Sequence, residues 1–229
     1  MAEGGGAPPR PRIANAQAIP VAGIDDHLPA VAAERLTAEA LRRRFAQPPA
    51  WQPEFLGDGR FGSERTPAPA SVLIGLVARD DGLNVLLTQR TDHLRDHAGQ
   101  VSFPGGRAEH SDADAAATAL REAEEEVGLP HDRVEVIGEL PTYSTVTSYV
   151  VTPVVALVTP PFTLALDRFE VAEAFEVPLA FLMSPANHRR HVFHYDGGER
   201  QFLSMPWQGH FIWGATAAMI RNFYRFLSA

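Results

Sequence analysis

Glu122, Glu125 and Glu126 are the residues whose type and spacing best suit chemistry. If the chain is helical there, Glu122 and Glu126 stand one turn apart, with Glu125 on the same flank. Ala116, Ala119, Leu120, Ala123 and Val127 then fall on one arc roughly 100° wide, so the acids border a buried stripe of small residues. Like charges at these spacings oppose each other by roughly 0.2–0.5 kcal/mol per pair. The C-terminal half of a helix disfavours anions as well. A hard divalent cation reverses both penalties, because Mg²⁺ takes carboxylate and phosphate oxygens together. Arg121 is placed to pair with one carboxylate. The bland alternative is a solvated acidic face. It is weakened by the buried stripe and by Gly105-Gly106 upstream, a turn whose backbone can approach a phosphate closely.

Local punctuation supports that helix, over about 112–127. Ser111 or Asp112 caps its start, and Gly128 followed by Pro130 stops it. Ser71–Arg79 and Asn84–Arg90 read as strands joined by hairpin chemistry at Asp80-Asp81-Gly82. Further strands are expected at 101–103, 133–140, 149–158 and 211–213. Helices are expected at 37–45, at 170–183 with a break at Pro178, and from about Thr216. Strands mixed with a few helices, without βαβ alternation, predict an α+β layered fold. Residues 1–69 read as an N-terminal extension and 70–229 as the packed domain. Within the extension, 1–30 are Gly, Pro and Ala-rich and expected to be loosely attached, and Gln47–Pro69 is a Pro/Gly-rich connection.

Bulk composition removes several classes. The formal net charge of −8 lacks the basic footprint of a nucleic-acid binder. No apolar run approaches the roughly 18 residues of a membrane span, and Arg10 and Arg12 are not followed by a signal-peptide core. There is no cysteine, hence no thiolate metal site or cysteine nucleophile, a composition that fits a cytoplasmic protein. All 20 strongly basic residues are arginine, so Schiff-base and P-loop lysine chemistry are also excluded.

The segment Arg121-Glu122-Ala123-Glu124-Glu125-Glu126-Val127-Gly128-Leu129 resembles the second half of the Nudix box, R-E-U-x-E-E-x-G-U with U aliphatic. The first half departs from it: the spaced acid is Asp112 rather than glutamate, one residue further from Arg121. Upstream, LLTQRTDHLRDHAGQVSFPGG (Leu86 to Gly106) is similar to the signature of the coenzyme A pyrophosphatase branch, L-L-T-x-R and then H-x-G-x-V-x-F-P-G-G. The longer box spacing, EVPL (176–179) and IWGATA (212–217) are also similar to that branch, so the resemblance spans about Ser71 to Met219. It implies an α/β/α sandwich with a mixed sheet and dependence on Mg²⁺ or Mn²⁺. It further implies cleavage of coenzyme A to 3′,5′-ADP and 4′-phosphopantetheine, and is compatible with a homodimer.

On this reading Glu122 and Glu126 ligate the metal, and Glu125 is a further ligand or the group that deprotonates water. Arg90, His97, Gly105, Gly106 and Arg107 are the candidate substrate contacts. Structural alternatives stand beside each: a strand-end salt bridge for Arg90, a loop-holding hydrogen bond for His97, a solvent-facing turn for Arg107. Glu170 and Glu173 are expected as helix-surface glutamates, with a distal catalytic carboxylate as the alternative. Phe103, Trp207, Phe211 and Trp213 are expected in packing, with adenine stacking as the alternative for Phe103. His188, His191 and His194 are expected in a solvated polar loop. Rival functions are a Nudix specificity for ADP-ribose, a dinucleoside polyphosphate or NADH, and a catalytically silent nucleotide-binding domain.

Overall fold

The computed structural model describes residues 13, 15–58, 66–91, 93, 99–196 and 198–229. In chain order the strands are β1 (Val21–Ile24), β2 (Ala68–Arg79), β3 (Gly82–Arg90), β4 (Val101–Ser102), β5 (Gly105–Arg107) and β6 (Val134–Glu139). They continue with β7 (Tyr143–Ser144), β8 (Tyr149–Val158), β9 (Val171–Pro178), β10 (Arg189–Tyr195), β11 (Gly198–Trp207) and β12 (His210–Trp213). The α-helices are α1 (Ala38–Ala46), α2 (Ala115–Val127), α3 (Leu179–Leu182) and α4 (Gly214–Ser228). None of the described helices is long and apolar enough to cross a membrane.

The larger sheet runs β4-β3-β2-β8-β6, with β5 on β2, β7 on β8 and β9 on β3. It is mixed: β2 pairs with β8 in parallel and with β3 and β5 antiparallel. Side chains alternate across it with period two. Leu73 and Val77 of β2 pack with Val154, Ala156 and Val158 of β8 against Ala119, Ala123 and Val127 of α2. Ile74 and Leu76 point the other way, with Val155 and Leu157, into a second core closed by Met219, Ile220 and Phe223 of α4. One helix on each face covers the sheet, as the resemblance implies.

A smaller antiparallel sheet, β1-β10-β11-β12, lies beyond it. Residues 189–195 are therefore a strand, not a polar loop. His191 faces Phe202 across the β10–β11 pair, and Tyr195 faces Gly198 at its end. The attachment expected to be loose over 1–30 is firm over 21–24, because β1 is hydrogen-bonded along β10. Residues 171–178 are also a strand rather than a helix. Their Ala and Glu content favours helix locally, but seven residues of β3 supply ladder partners, and tertiary pairing overrides the weaker preference.

Thr37 caps α1 as expected, accepting from the Ala40 N–H. This helix and the turn before it lie against the end of α4: Arg35 of that turn donates to the Leu227 carbonyl and Arg44 of the helix to that of Phe226. Phe45 and Trp51 pack on the Phe226 ring, with centroids 4.7 and 5.2 Å away.

Candidate active site

The α2 helix starts one turn later than its composition suggests. Asp114 is the cap, its Oδ1 accepting from Ala117 N at 2.8 Å. Asp112 is diverted to another task. Its carboxylate receives Nε and Nη2 of Arg121, both at 3.0 Å, with Thr118 Oγ1 at 2.9 Å and Glu109 N at 2.8 Å. The Arg121 bonds, then that backbone donor, hold Asp112 well below the usual carboxylate range. Arg121, anchored in this way, spreads its Nη1 between Glu122 (3.0 Å) and Glu125 (2.9 Å) and gives Nη2 to the Arg107 carbonyl at 3.1 Å. The departure from the family pattern at Asp112 thus supplies the residue that orients Arg121 and, through it, two of the three glutamates. The helix closes at Gly128, whose φ of +66° lets its N–H reach the Ala123 and Glu124 carbonyls.

Strand β5 runs beside the acidic flank, and its glycines permit the approach. A Cβ on Gly106 would stand 2.5 Å from the Glu122 carboxylate. Gly105 has a φ of +156° and donates its N–H to Glu126 Oε2 at 3.1 Å. The Glu126 side chain is 8% exposed. Burial pushes its carboxyl up to about 7; the Gly105 N–H and Arg90 oppose this, while Glu122 and Glu170 add to it. Burial raises Glu122 too, partly offset by Arg121. Glu125 is 60% exposed and open to water.

Arg90, at the end of β3, lies 3.7 Å from Glu126 and 3.6 Å from Glu170. These are ion pairs longer than a good hydrogen bond. Glu170 belongs to a strapped turn rather than a helix. Ala165 N and Asp167 N donate to the Val127 and Glu126 carbonyls at the end of α2, and Thr91 N donates to the Glu170 carbonyl. Glu173 is on β9, 3.2 Å from His210 Nε2, and takes no part in this cluster. His97 lies outside the described residues, and the Arg107 side chain is exposed.

Among the described residues no three His, Asp or Glu side chains stand preassembled as a metal cage. The donor set nevertheless fits a hard divalent ion. Glu122, Glu126 and Glu170 offer only carboxylate oxygens, and their mutual repulsion and burial are what an added cation relieves.

Behind Gly105 a cavity of about 280 Å³ is lined by Val72, Phe103, Val151, Trp213, Thr216 and Met219. Phe103, 2% exposed, belongs to the core and at the same time walls this cavity. Trp207 packs on Phe181, and Phe211 and Trp213 pack on the rings of the smaller sheet. Arg200, also lining the cavity, was not singled out from sequence; it pairs with Asp58 at 3.3 Å. No local pattern marks it, because its partner comes from a connection more than a hundred residues earlier. His188, His191 and His194 have separate surroundings. His188 Nε2 is 2.8 Å from the Leu182 carbonyl, His191 Nε2 is 2.8 Å from Ser204 Oγ, and His194 is exposed.

The NUDIX domain profile matches residues 67–195, and the chain belongs to that family. It is 46% identical over 154 residues to an uncharacterized Nudix hydrolase, NudL, of Escherichia coli K12, covering 67% of this chain and 79% of that protein. The NudL of a Shigella boydii strain matches to the same extent. Among solved structures, a Nudix hydrolase from M. smegmatis, RenU, matches with a TM-score of 0.43 at 23% identity, over 50% of this chain and 73% of that one. The protein is thus a Nudix pyrophosphohydrolase, an enzyme of a family acting on nucleoside diphosphate derivatives.

Proposed function

We propose that this enzyme hydrolyses the pyrophosphate bond of coenzyme A, or of its acyl or oxidised forms, to 3′,5′-ADP and 4′-phosphopantetheine, using Mg²⁺ or Mn²⁺. One observation carries the reading. From the two ends of the coenzyme A-type signature, Arg90 meets the box carboxylate Glu126, and Gly105-Gly106 meet Glu126 and Glu122.

Glu122 and Glu126 would hold the metal, with Glu125 or Glu170 completing the set. When bound, the ion supplies charge compensation and Lewis acidity at the pyrophosphate. Arg121 keeps Glu122 and Glu125 aimed through its anchorage on Asp112. Glu125, exposed at the edge of the cluster, or Glu170 takes the proton from the attacking water. Arg90, held by long ion pairs, turns to a phosphate oxygen, and the absence of side chains at Gly105-Gly106 lets the substrate lie close to the helix. The cavity behind Gly105 takes the adenine, with Arg200 at hand for the 3′-phosphate.

The test is a panel of coenzyme A, acetyl-coenzyme A, ADP-ribose, NADH and a dinucleoside polyphosphate with Mg²⁺, Mn²⁺ or chelator, with products identified by mass. Metal-dependent release of 3′,5′-ADP and 4′-phosphopantetheine, fastest in the panel, is expected. Faster cleavage of ADP-ribose or NADH would keep the metal site and discard the coenzyme A assignment.

A further inference from the structure

Phe169 is 66% exposed, beside the most charged part of the site. Single exposed apolar side chains are ordinary on a protein surface, so exposure by itself means little. The way this ring is presented is more informative. Its N–H donates to Asp167 Oδ1 at 2.9 Å, and its carbonyl accepts from Thr91 Oγ1 at 2.9 Å. Asp167 N is in turn tied to the Glu126 carbonyl. The turn is therefore anchored on the carboxylate-bearing helix at one end and on the end of β3 at the other. The imidazole of His93 lies against the ring at 5.0 Å, tilted by 60°. Together they form an apolar ledge fixed next to Arg90 and Glu170.

The carboxylates have different surroundings on their two sides. On the Gly105 side Glu126 accepts from the Gly105 N–H, and Gly105 pairs with Val72, which lines the cavity together with Phe103, Trp213, Asp58 and Arg200. On the Arg90 side it leads to Glu170 and Phe169. A substrate with its pyrophosphate at Glu122 and Glu126 must send one end each way. The cavity side suits a rigid planar base and carries Arg200, paired with Asp58. Beyond Arg90 the ledge side carries only Asp167 and Glu170 of the turn, so once Arg90 is engaged at the pyrophosphate a further phosphorylated end is repelled there and an uncharged chain accepted.

We propose that Phe169 and His93 form the binding ledge for the uncharged arm on the distal phosphate, a pantetheine-type chain with or without an acyl group. This rests on the coenzyme A reading and names the specificity contact within it. An exposed ledge, unlike a closed pocket, leaves the thiol end in solvent, where acyl groups of different length are tolerated.

The test is steady-state kinetics of Phe169→Ala, Phe169→Leu and His93→Ala with coenzyme A and hexanoyl-coenzyme A, alongside inhibition by 3′,5′-ADP, which lacks the arm. Phe169→Ala is expected to raise KM about tenfold, to a similar extent for the acyl form, with kcat within about twofold and the 3′,5′-ADP inhibition constant unchanged. Phe169→Leu should restore most of the loss and His93→Ala should show a smaller one in the same direction. An unchanged KM in Phe169→Ala, or a KM and an inhibition constant that rise together, would overturn the ledge while leaving coenzyme A as the substrate. If the unmodified enzyme does not cleave coenzyme A at all, the substrate reading fails and the ledge assignment falls with it.

Discussion

At neutral pH the Glu126 carboxylate, 8% exposed and facing Glu122 and Glu170, opposes the fold that holds it. Its folded pKa is raised to about 7 by burial, against an ordinary value of 4.5. The charge is therefore destabilising at pH values above 7 and is relieved as pH falls through the folded value. Glu126→Gln retains an oxygen to accept from Gly105 while deleting the charge. In chelator at pH 8 its melting temperature is expected to rise by a few degrees, on the order of 1 kcal/mol. Its turnover with Mg²⁺ should fall by about a hundredfold or more. A thermal scan paired with a rate assay checks both, and a variant neither more stable nor less active would contradict the assignment. The acids, Arg121 and the glycines were legible in the sequence because helix periodicity alone brings Glu122, Glu125 and Glu126 together. The anchoring task of Asp112, the presence of Arg200 and the presentation of Phe169 were not. The first depends on which of two nearby acids, Asp112 or Asp114, wins the cap, and the others on partners from distant segments.

The elements were legible where local preference and tertiary pairing agree. Strand β8 coincides with its expected span, and α2 ends where Gly128 stops it. They were illegible where the two conflict, as in β9, whose Ala and Glu content argues for a helix that β3 does not allow. The β10–β11 hairpin was missed although Asp196-Gly197-Gly198 offers turn chemistry. The glycine strand β5 makes a prediction at this scale. In Gly106→Ala the new methyl meets only the end of the Glu122 side chain, so the carboxylate should move and the strand should stay. In Gly105→Ala the methyl meets backbone, with Val72 Cα at 2.6 Å, at a φ that disfavours alanine. Circular dichroism melts should show the first variant within about 0.5 kcal/mol of the parent and the second destabilised by 1–3 kcal/mol, roughly. Both should lose activity. Equal stability in the two would show that β5 is more pliant than its packing indicates.

Across the whole molecule, β1, β10, α4 and the segment around Glu54 meet at a buried charge cluster. Arg190 bridges Asp25 and Glu54, each at 2.7 Å, and Arg221, 2% exposed, reaches Glu54, Asp25 and His188. Burial would raise the Asp25 and Glu54 carboxyls, but bonds and charges from Arg190 and Arg221 outweigh it and lower both. Burial first, then Arg221, depresses His188 to about 4 from 6.5, against a raising bond to the Leu182 carbonyl. Between pH 6.5 and 4 the unfolded chain therefore takes up a proton at His188 that the folded chain refuses, and stability falls as pH falls. The two depressed carboxyls extend the loss below that window. Denaturant melts from pH 7.5 to 4 should show a decline of up to about 3 kcal/mol attributable to His188. His188→Gln, less stable throughout, should flatten the slope; an unchanged slope would assign the acid sensitivity elsewhere.

The seat of α1 on α4 bears on how the molecule comes to be made. Arg44 finds its acceptor at a sequence separation of 182 residues and Arg35 at 192. A chain emerging from the ribosome at roughly 5–20 residues per second therefore exposes the apolar side of α1 for tens of seconds before Phe226 is available to cover it. Within that interval the larger sheet can assemble around α2, but α1 is among the last of the described helices to be seated.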